Sequence, residues 1–137
     1  QYDFLNYIRG VLFNYIDANL LIGGDFNICQ NPNIDKKGGR LETQSENAKE
    51  LFSLMEEYNL TDIWRLVNQD SRLFSRREMT KAGLVQSRID YWLISVHMGY
   101  NIEATEIKPG VKSDHSLISI RIQKSQGGYA EIKGQMD

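Results

Sequence analysis

The apolar run Leu20-Leu21-Ile22 stops at Gly23-Gly24 and is followed by Asp25-Phe26-Asn27. It has the length of a buried strand, and the two glycines let the chain leave that strand sharply. In extended backbone, residues two apart point the same way. Asp25 and Asn27 are therefore expected to aim at one spot just past a strand end. A carboxylate can take a proton or hold a metal, and an amide can donate a hydrogen bond to an oxyanion. Acids and amides after Gly-Gly also occur in plain turns, so the pair carries weight only in company.

The rest of the chain alternates helices with strands. Phe4, Leu5, Ile8, Val11, Leu12 and Tyr15 keep the spacing of one helical face and predict a helix over 3–17. Pro32, Asn33, Gly38 and Gly39 break the stretch 30–42 into a loop. Thr43-Gln44-Ser45-Glu46 has the form of a capping box. It opens a second predicted helix, with Ala48, Leu51, Phe52 and Met55 as its stripe and Asn59 as its stop. Residues 60–67, with Trp64, read as a short strand or turn. Extended runs follow at 72–77 and 88–95, and the Gly83-containing loop between them suggests a hairpin. A strand is predicted over 102–107, ended by Pro109-Gly110. Residues 116–123 read as the clearest strand, with Ile118, Ile120 and Ile122 on one side and Ser119, Arg121 and Gln123 on the other. This order argues for an α/β (α+β) layered fold in one domain over 1–124. Residues 125–137 read as a linker or disordered tail.

With 41% hydrophobic and 25% charged residues, the composition is that of an ordinary globular domain. No apolar stretch approaches the ~20 residues of a membrane-spanning helix, and no signal peptide is evident. The single cysteine, Cys29, precludes an internal disulfide and fits a reducing, intracellular compartment. It reads as a small loop residue rather than a catalytic thiol. The net charge of −2 argues mildly against nucleic acid, but the charge is unevenly spread. Arg72, Arg76, Arg77, Lys81 and Arg88 face only Glu78 in their stretch, while acids crowd 42–57. The basic stretch is either a solvated hairpin or a loop that contacts phosphates, with Arg76, Arg77, Lys81 and Arg88 as candidate contacts.

Two later segments strengthen the Asp25–Asn27 pair. Asp90 sits in the strand-like run 87–95, and Asp114 and His115 lie just before the strand at 116–123. Histidine titrates near neutrality and suits proton transfer or a hydrogen bond to a phosphoryl oxygen. A carboxylate bonded to its ring fixes the tautomer. The second histidine, His97, lacks a motif partner and reads as a surface residue. No serine stands in a nucleophile elbow, no Gly-Lys-Ser/Thr follows Gly23-Gly24, and no Cys/His cluster suggests zinc.

The motifs Gly-Gly-Asp-Phe-Asn at 23–27, Ser-Arg-Ile-Asp-Tyr-Trp-Leu-Ile-Ser at 87–95 and Ser-Asp-His-Ser-Leu-Ile-Ser-Ile at 113–120 occur in that order. Together they resemble the endonuclease/exonuclease/phosphatase superfamily. Within it they are most similar to the apurinic-type endonuclease domain of non-LTR (long interspersed element) retrotransposons. The stretches 33–40 and 58–65 fit the same branch, and the likeness runs from about residue 4 to about residue 122. The Phe-Thr-aromatic run of the family reads Phe74-Ser75-Arg76 here. The family domain is nearly twice this length. Its first half carries a principal magnesium-binding glutamate that has no counterpart here. The chain is therefore expected to be the C-terminal half of a four-layer α/β sandwich, one mostly antiparallel sheet flanked by helices.

The resemblance implies a magnesium-dependent phosphodiesterase that nicks target DNA, leaving a 3′ hydroxyl for reverse transcription, in the nucleus. Asp25 would position or deprotonate water and Asn27 would hold that water. His115 would contact the scissile phosphate and Asp90 would orient His115. Asp114, with Asp25, would bind Mg2+, held weakly or not at all without the missing half. The loop 78–86 would enter a DNA groove. The isolated half is expected to be inactive, and to pair with the missing N-terminal half or with itself. Two alternatives stand beside this reading. One is another phosphoesterase of the superfamily: a phosphatase, sphingomyelinase or deadenylase. The other is a non-catalytic folded fragment that binds DNA or self-assembles.

Overall fold

The structure, a computed structural model, describes residues 2–40, 44–110, 113–123 and 129–134. The first helix, α1, spans Tyr2–Phe13, shorter than the apolar periodicity predicts. Beyond it the backbone tightens into i→i−3 bonds, from Asn14 N to Val11 O and from Tyr15 N to Leu12 O. Leu5 and Leu12 are buried, whereas Phe4, Val11 and Tyr15 of the expected stripe stay exposed. α1 packs on α3, Glu46–Glu57, where Arg9 Nε bonds Glu57 Oε1 at 2.9 Å and the Tyr58 hydroxyl donates to Arg9 O. Ser45 caps α3 by accepting from Ala48 N. Thr43, the first residue of the expected capping box, lies outside the described residues. Asn59 ends the helix as expected, in the left-handed region with φ 55°.

The central sheet holds β1 (Leu21–Asp25), β6 (Asp90–Ser95) and β3 (Leu60–Asp62), in the order β1-β6-β3 and antiparallel throughout. All six residues of β6 are buried. Tyr91 and Leu93 join the helix-side core with Leu5, Leu12, Leu51 and Leu54. Trp92 and Ile94 turn to a second core with Ile63, Ile118 and Ile120. The strand thus separates a helical layer from a second sheet. That sheet has the order β7-β8-β9, from Ile102–Lys108, Leu117–Gln123 and Tyr129–Gly134. Gly23 sits opposite Trp92 in the register, and a Cβ there would lie 2.5 Å from the Trp92 ring. Glycine is what lets the indole lie across β1.

A third small sheet holds the hairpin of β4 (Arg76–Thr80) and β5 (Gly83–Ser87), with β2 (Lys36–Lys37) alongside β5. Its arms fill the stretch 78–86 that the sequence assigns to a loop. This ribbon has no fully buried residue in either arm, so it needs no apolar alternation to form. Three short helices complete the fold among the described residues: α2, Pro32–Asp35, inside the expected loop; α4, Ile63–Val67, capped by Asp62; and a 3-10 helix, Val96–Asn101, between β6 and β7. Of the expected tail 125–137, only residues 129–134 are described, and these pair antiparallel with β8. A free strand edge recruits a partner through backbone groups alone, which leaves no side-chain signature. Among the described residues, no helix is long and apolar enough to cross a membrane.

Candidate active site

Asp25 closes β1 and Asp90 opens β6, and the antiparallel register sets them directly opposite each other. Phe26 N extends the pairing to Ile89 O at 3.0 Å. Ser75, fully buried just before β4, fastens the same place from the other side. Its Oγ accepts from Ile89 N and Asp90 N, both at 2.9 Å. Its carbonyl accepts from Ser116 N at 2.6 Å. The His115 segment runs along β4 through this bond, through Arg77 N to Asp114 O at 2.8 Å, and through a bridge between Arg76 and His115. Gly110 lies close against this segment, and a Cβ there would lie 2.6 Å from the His115 carbonyl oxygen.

These contacts bring His115 to Asp90, with Nδ1 2.9 Å from Oδ2. Their side chains are 5% and 0% exposed. An ionised carboxylate only accepts, so in this pair Nδ1 carries the proton and Nε2 takes no part in the bond. Burial raises the Asp90 carboxyl to about 6, despite the opposing pull of Ser75 and His115; the nearby Asp25 adds to the rise. One oxygen each from Asp25 and Asp90 and one His115 nitrogen lie within 4.8 Å of one another, a grouping able to hold a metal ion. Asp25 is exposed, and Asp90 Oδ1 is buried without a hydrogen-bond partner among the described residues.

The other expected site residues fall differently. Asn27 is not in extended backbone: its φ is 52°, and its N–H donates to Asp25 Oδ1 at 2.8 Å. The two residues therefore meet through a tight turn, not through strand alternation. Asn27 lines a cleft with Arg76, Lys36 and Asn47. Asp114 is exposed and stands outside the group formed by Asp25, Asp90 and His115. Lys81 is exposed at the hairpin turn. Arg76 pairs with Glu78 at 3.4 Å, and Arg77 Nη1 donates to Ser116 Oγ at 3.2 Å.

Arg88 corrects an expectation. Expected at a DNA surface, it is 1% exposed, and its guanidinium is held by Asp35 and Asp62. Burial pulls its pKa down, but the two carboxylates more than reverse this, and it stays charged. Reading the chain alone also missed Asp35, Asp62 and Arg65 as a group, and Ser75 as a double acceptor. Their separation along the chain left no local pattern to find. His97 is exposed as expected, and its ring meets the Asn19 side chain.

No family model matches the chain. Over 109 residues, 77% of the chain, it is 32% identical to an uncharacterised 149 kDa protein of transposon TX1 from Xenopus laevis, covering 8% of that protein. The endonuclease domain of TRAS1, a telomere-specific non-LTR retrotransposon, matches with a TM-score of 0.69 and 18% identity over 90% of this chain and 52% of that one. A 3′ phosphatase, NExo, from Neisseria, solved with a product DNA hairpin, matches with a TM-score of 0.63 and 19% identity over 88% and 51%. The chain spans about half of each of these solved proteins and a small part of the transposon protein. The chain thus shares the fold of these solved proteins over most of its length.

Proposed function

We propose that this chain is part of a metal-dependent DNA endonuclease that hydrolyses a phosphodiester for a non-LTR retrotransposon, acting in the nucleus. The observation that carries this reading is the convergence of Asp25, Asp90 and His115 at one end of the central sheet. The transposon relative and the nuclease fold support it.

In this reading each residue has one task. Asp25 orients or deprotonates the attacking water, and the Asn27 amide donates to that water or to the transition state. His115 turns Nε2 to the scissile phosphate, and in its charged form donates to a phosphoryl oxygen. Asp90 holds the ring by Nδ1 and offsets the positive charge. Lys81, Arg76 and Arg77 along the hairpin contact DNA phosphates.

The donor set fits magnesium, which takes one or two carboxylates and completes its shell with water. Asp25 is exposed and keeps an oxygen beyond the one that Asn27 uses. Asp25 would hold the ion, whereas Asp114, expected as a further ligand, stands outside the group that Asp25 forms with Asp90 and His115. When bound, the ion would neutralise charge developing on the phosphoryl oxygens.

The chain spans about half of the TRAS1 endonuclease domain, and the proposed partner in catalysis is the remainder of such a domain or a second copy. The test is relaxation of supercoiled plasmid with magnesium, by the chain alone and with the completing half supplied. Nicking in the completed assembly, lost in Asp25→Ala and His115→Ala, is expected. Nicking that survives both substitutions would sink the assignment. Phosphate release from a 3′-phosphorylated oligonucleotide without nicking would move the reading to a phosphatase.

A further inference from the structure

Two residues before Asp90 in the chain, four charged side chains meet inside the protein. Asp35 and Arg88 are 1% exposed and Asp62 is 6% exposed. Arg88 Nε donates to Asp35 Oδ1 at 2.8 Å, and Nη2 reaches Asp35 Oδ2 at 3.4 Å and Asp62 Oδ2 at 2.6 Å. Arg65 Nη2 donates to the same Asp35 Oδ1. Gln30 Nε2 adds a bond to Asp62 at 2.9 Å. The Arg88 guanidinium lies 5.2 Å from the Trp64 ring and 5.3 Å from the Tyr91 ring.

A buried ion cluster is a poor way to gain stability, because well-packed apolar side chains often do as well. Its use must be sought in what it holds in register. Arg88 N also donates to Asp35 O at 2.7 Å, so both the backbone and the side chain of residue 88 are tied to one residue of the 30–36 segment. Through Asp62, the same guanidinium ties in the cap of α4. From Arg88 the chain passes directly to Ile89 and Asp90, whose N–H groups are fixed by Ser75. The segment 88–90 is thus anchored at each residue, and Asp90 is where it ends.

We propose that Arg88 is a positioning residue, whose fork to Asp35 and Asp62 fixes the backbone at the base of β6 and so holds Asp90 in hydrogen-bonding geometry with His115. The inference rests on the proposed role of the Asp90–His115 pair, but its test needs no cleavage. A lysine keeps the charge of Arg88 and loses the planar fork that engages two carboxylates at once. The double variant Arg88→Met with Asp62→Asn removes one charge of each sign and leaves Arg65 with Asp35.

The readout is the His115 Nδ1–H proton, which a carboxylate partner moves far downfield in the NMR spectrum. It is assigned by its disappearance in His115→Ala. The full chain is used, beside thermal melts followed by circular dichroism. In Arg88→Lys and in the double variant, a cooperative melt with the downfield proton lost, or exchanging at least about tenfold faster, is expected. In the active assembly, kcat would fall about tenfold with KM within about twofold. An unchanged downfield proton in either folded variant overturns the proposal. So does failure of both variants to fold, which would make the cluster a general element of stability. If the chain cleaves nothing under any condition, the proposed activity fails while the proton still tests the positioning.

Discussion

At Asp90 a single carboxyl links stability to chemistry. Its pKa in the fold is about 6 against the ordinary 3.8, mainly because burial penalises the charge. Between those values the folded protein binds more protons than the unfolded chain. The carboxyl's effect on stability therefore worsens as pH rises from about 4 to about 6. Thermal melts of Asp90→Asn across this range are expected to show a flatter pH dependence than the wild type. An unchanged slope would mean that another group sets it. The proposed activity should fall as pH drops through about 6, where Asp90 takes up a proton and stops accepting from His115. Asp25, Asp90 and His115 were legible in the sequence because each lies beside an apolar run. The fate of Arg88 was not: nothing in Ser87-Arg88-Ile89 tells a surface cation from one buried between Asp35 and Asp62.

Among the described elements, the β4–β5 hairpin contributes no residue to either apolar core. Thr80 Oγ1 closes its turn, accepting from Ala82 N and donating to Gly83 O at 2.8 Å. Its exposed tip carries Lys81, and its base carries Arg76 beside the cleft that Asn27 lines. Lys81→Ala and Arg76→Ala are expected to weaken DNA binding across sequences and to lower the salt dependence by about one counterion each. Filter binding at several salt concentrations measures this, and an unchanged slope would remove the hairpin from the interface. Arg77 is the worse probe, because it also bonds Ser116. That a hairpin turns near Gly83 was legible, but not its arms: the expected runs 72–77 and 88–95 do not pair, since the arms are 76–80 and 83–87 and β6 pairs with β1 and β3. The hairpin's register was not legible either, because an open ribbon lacks the buried face that fixes one.

On the scale of the whole molecule, large apolar side chains remain uncovered. Tyr7, Phe13 and Ile16 are 69%, 70% and 61% exposed, and Phe4 and Val11 of α1 are also open. Phe4, Tyr7 and Val11 keep the spacing of one face of α1, and an apolar helix face left open to water favours association. Sedimentation is expected to show self-association that Tyr7→Lys with Val11→Lys weakens, and a monomer that binds no hydrophobic dye would count against it. The sequence by itself determined the layered α/β class, the main strands and helices, and the acids and histidine that stand at the strand ends. Those follow from short-range patterns: the 3.6-residue and 2-residue periods, glycine breaks, and acids placed at strand ends. Only the tertiary structure decided that Asp90 stands opposite Asp25, that Ser75 holds the two N–H groups beside it, and that β9 closes the second sheet. These depend on backbone hydrogen bonds and buried charge pairs between segments far apart in the chain, and such partners are chosen by packing rather than by neighbours in sequence.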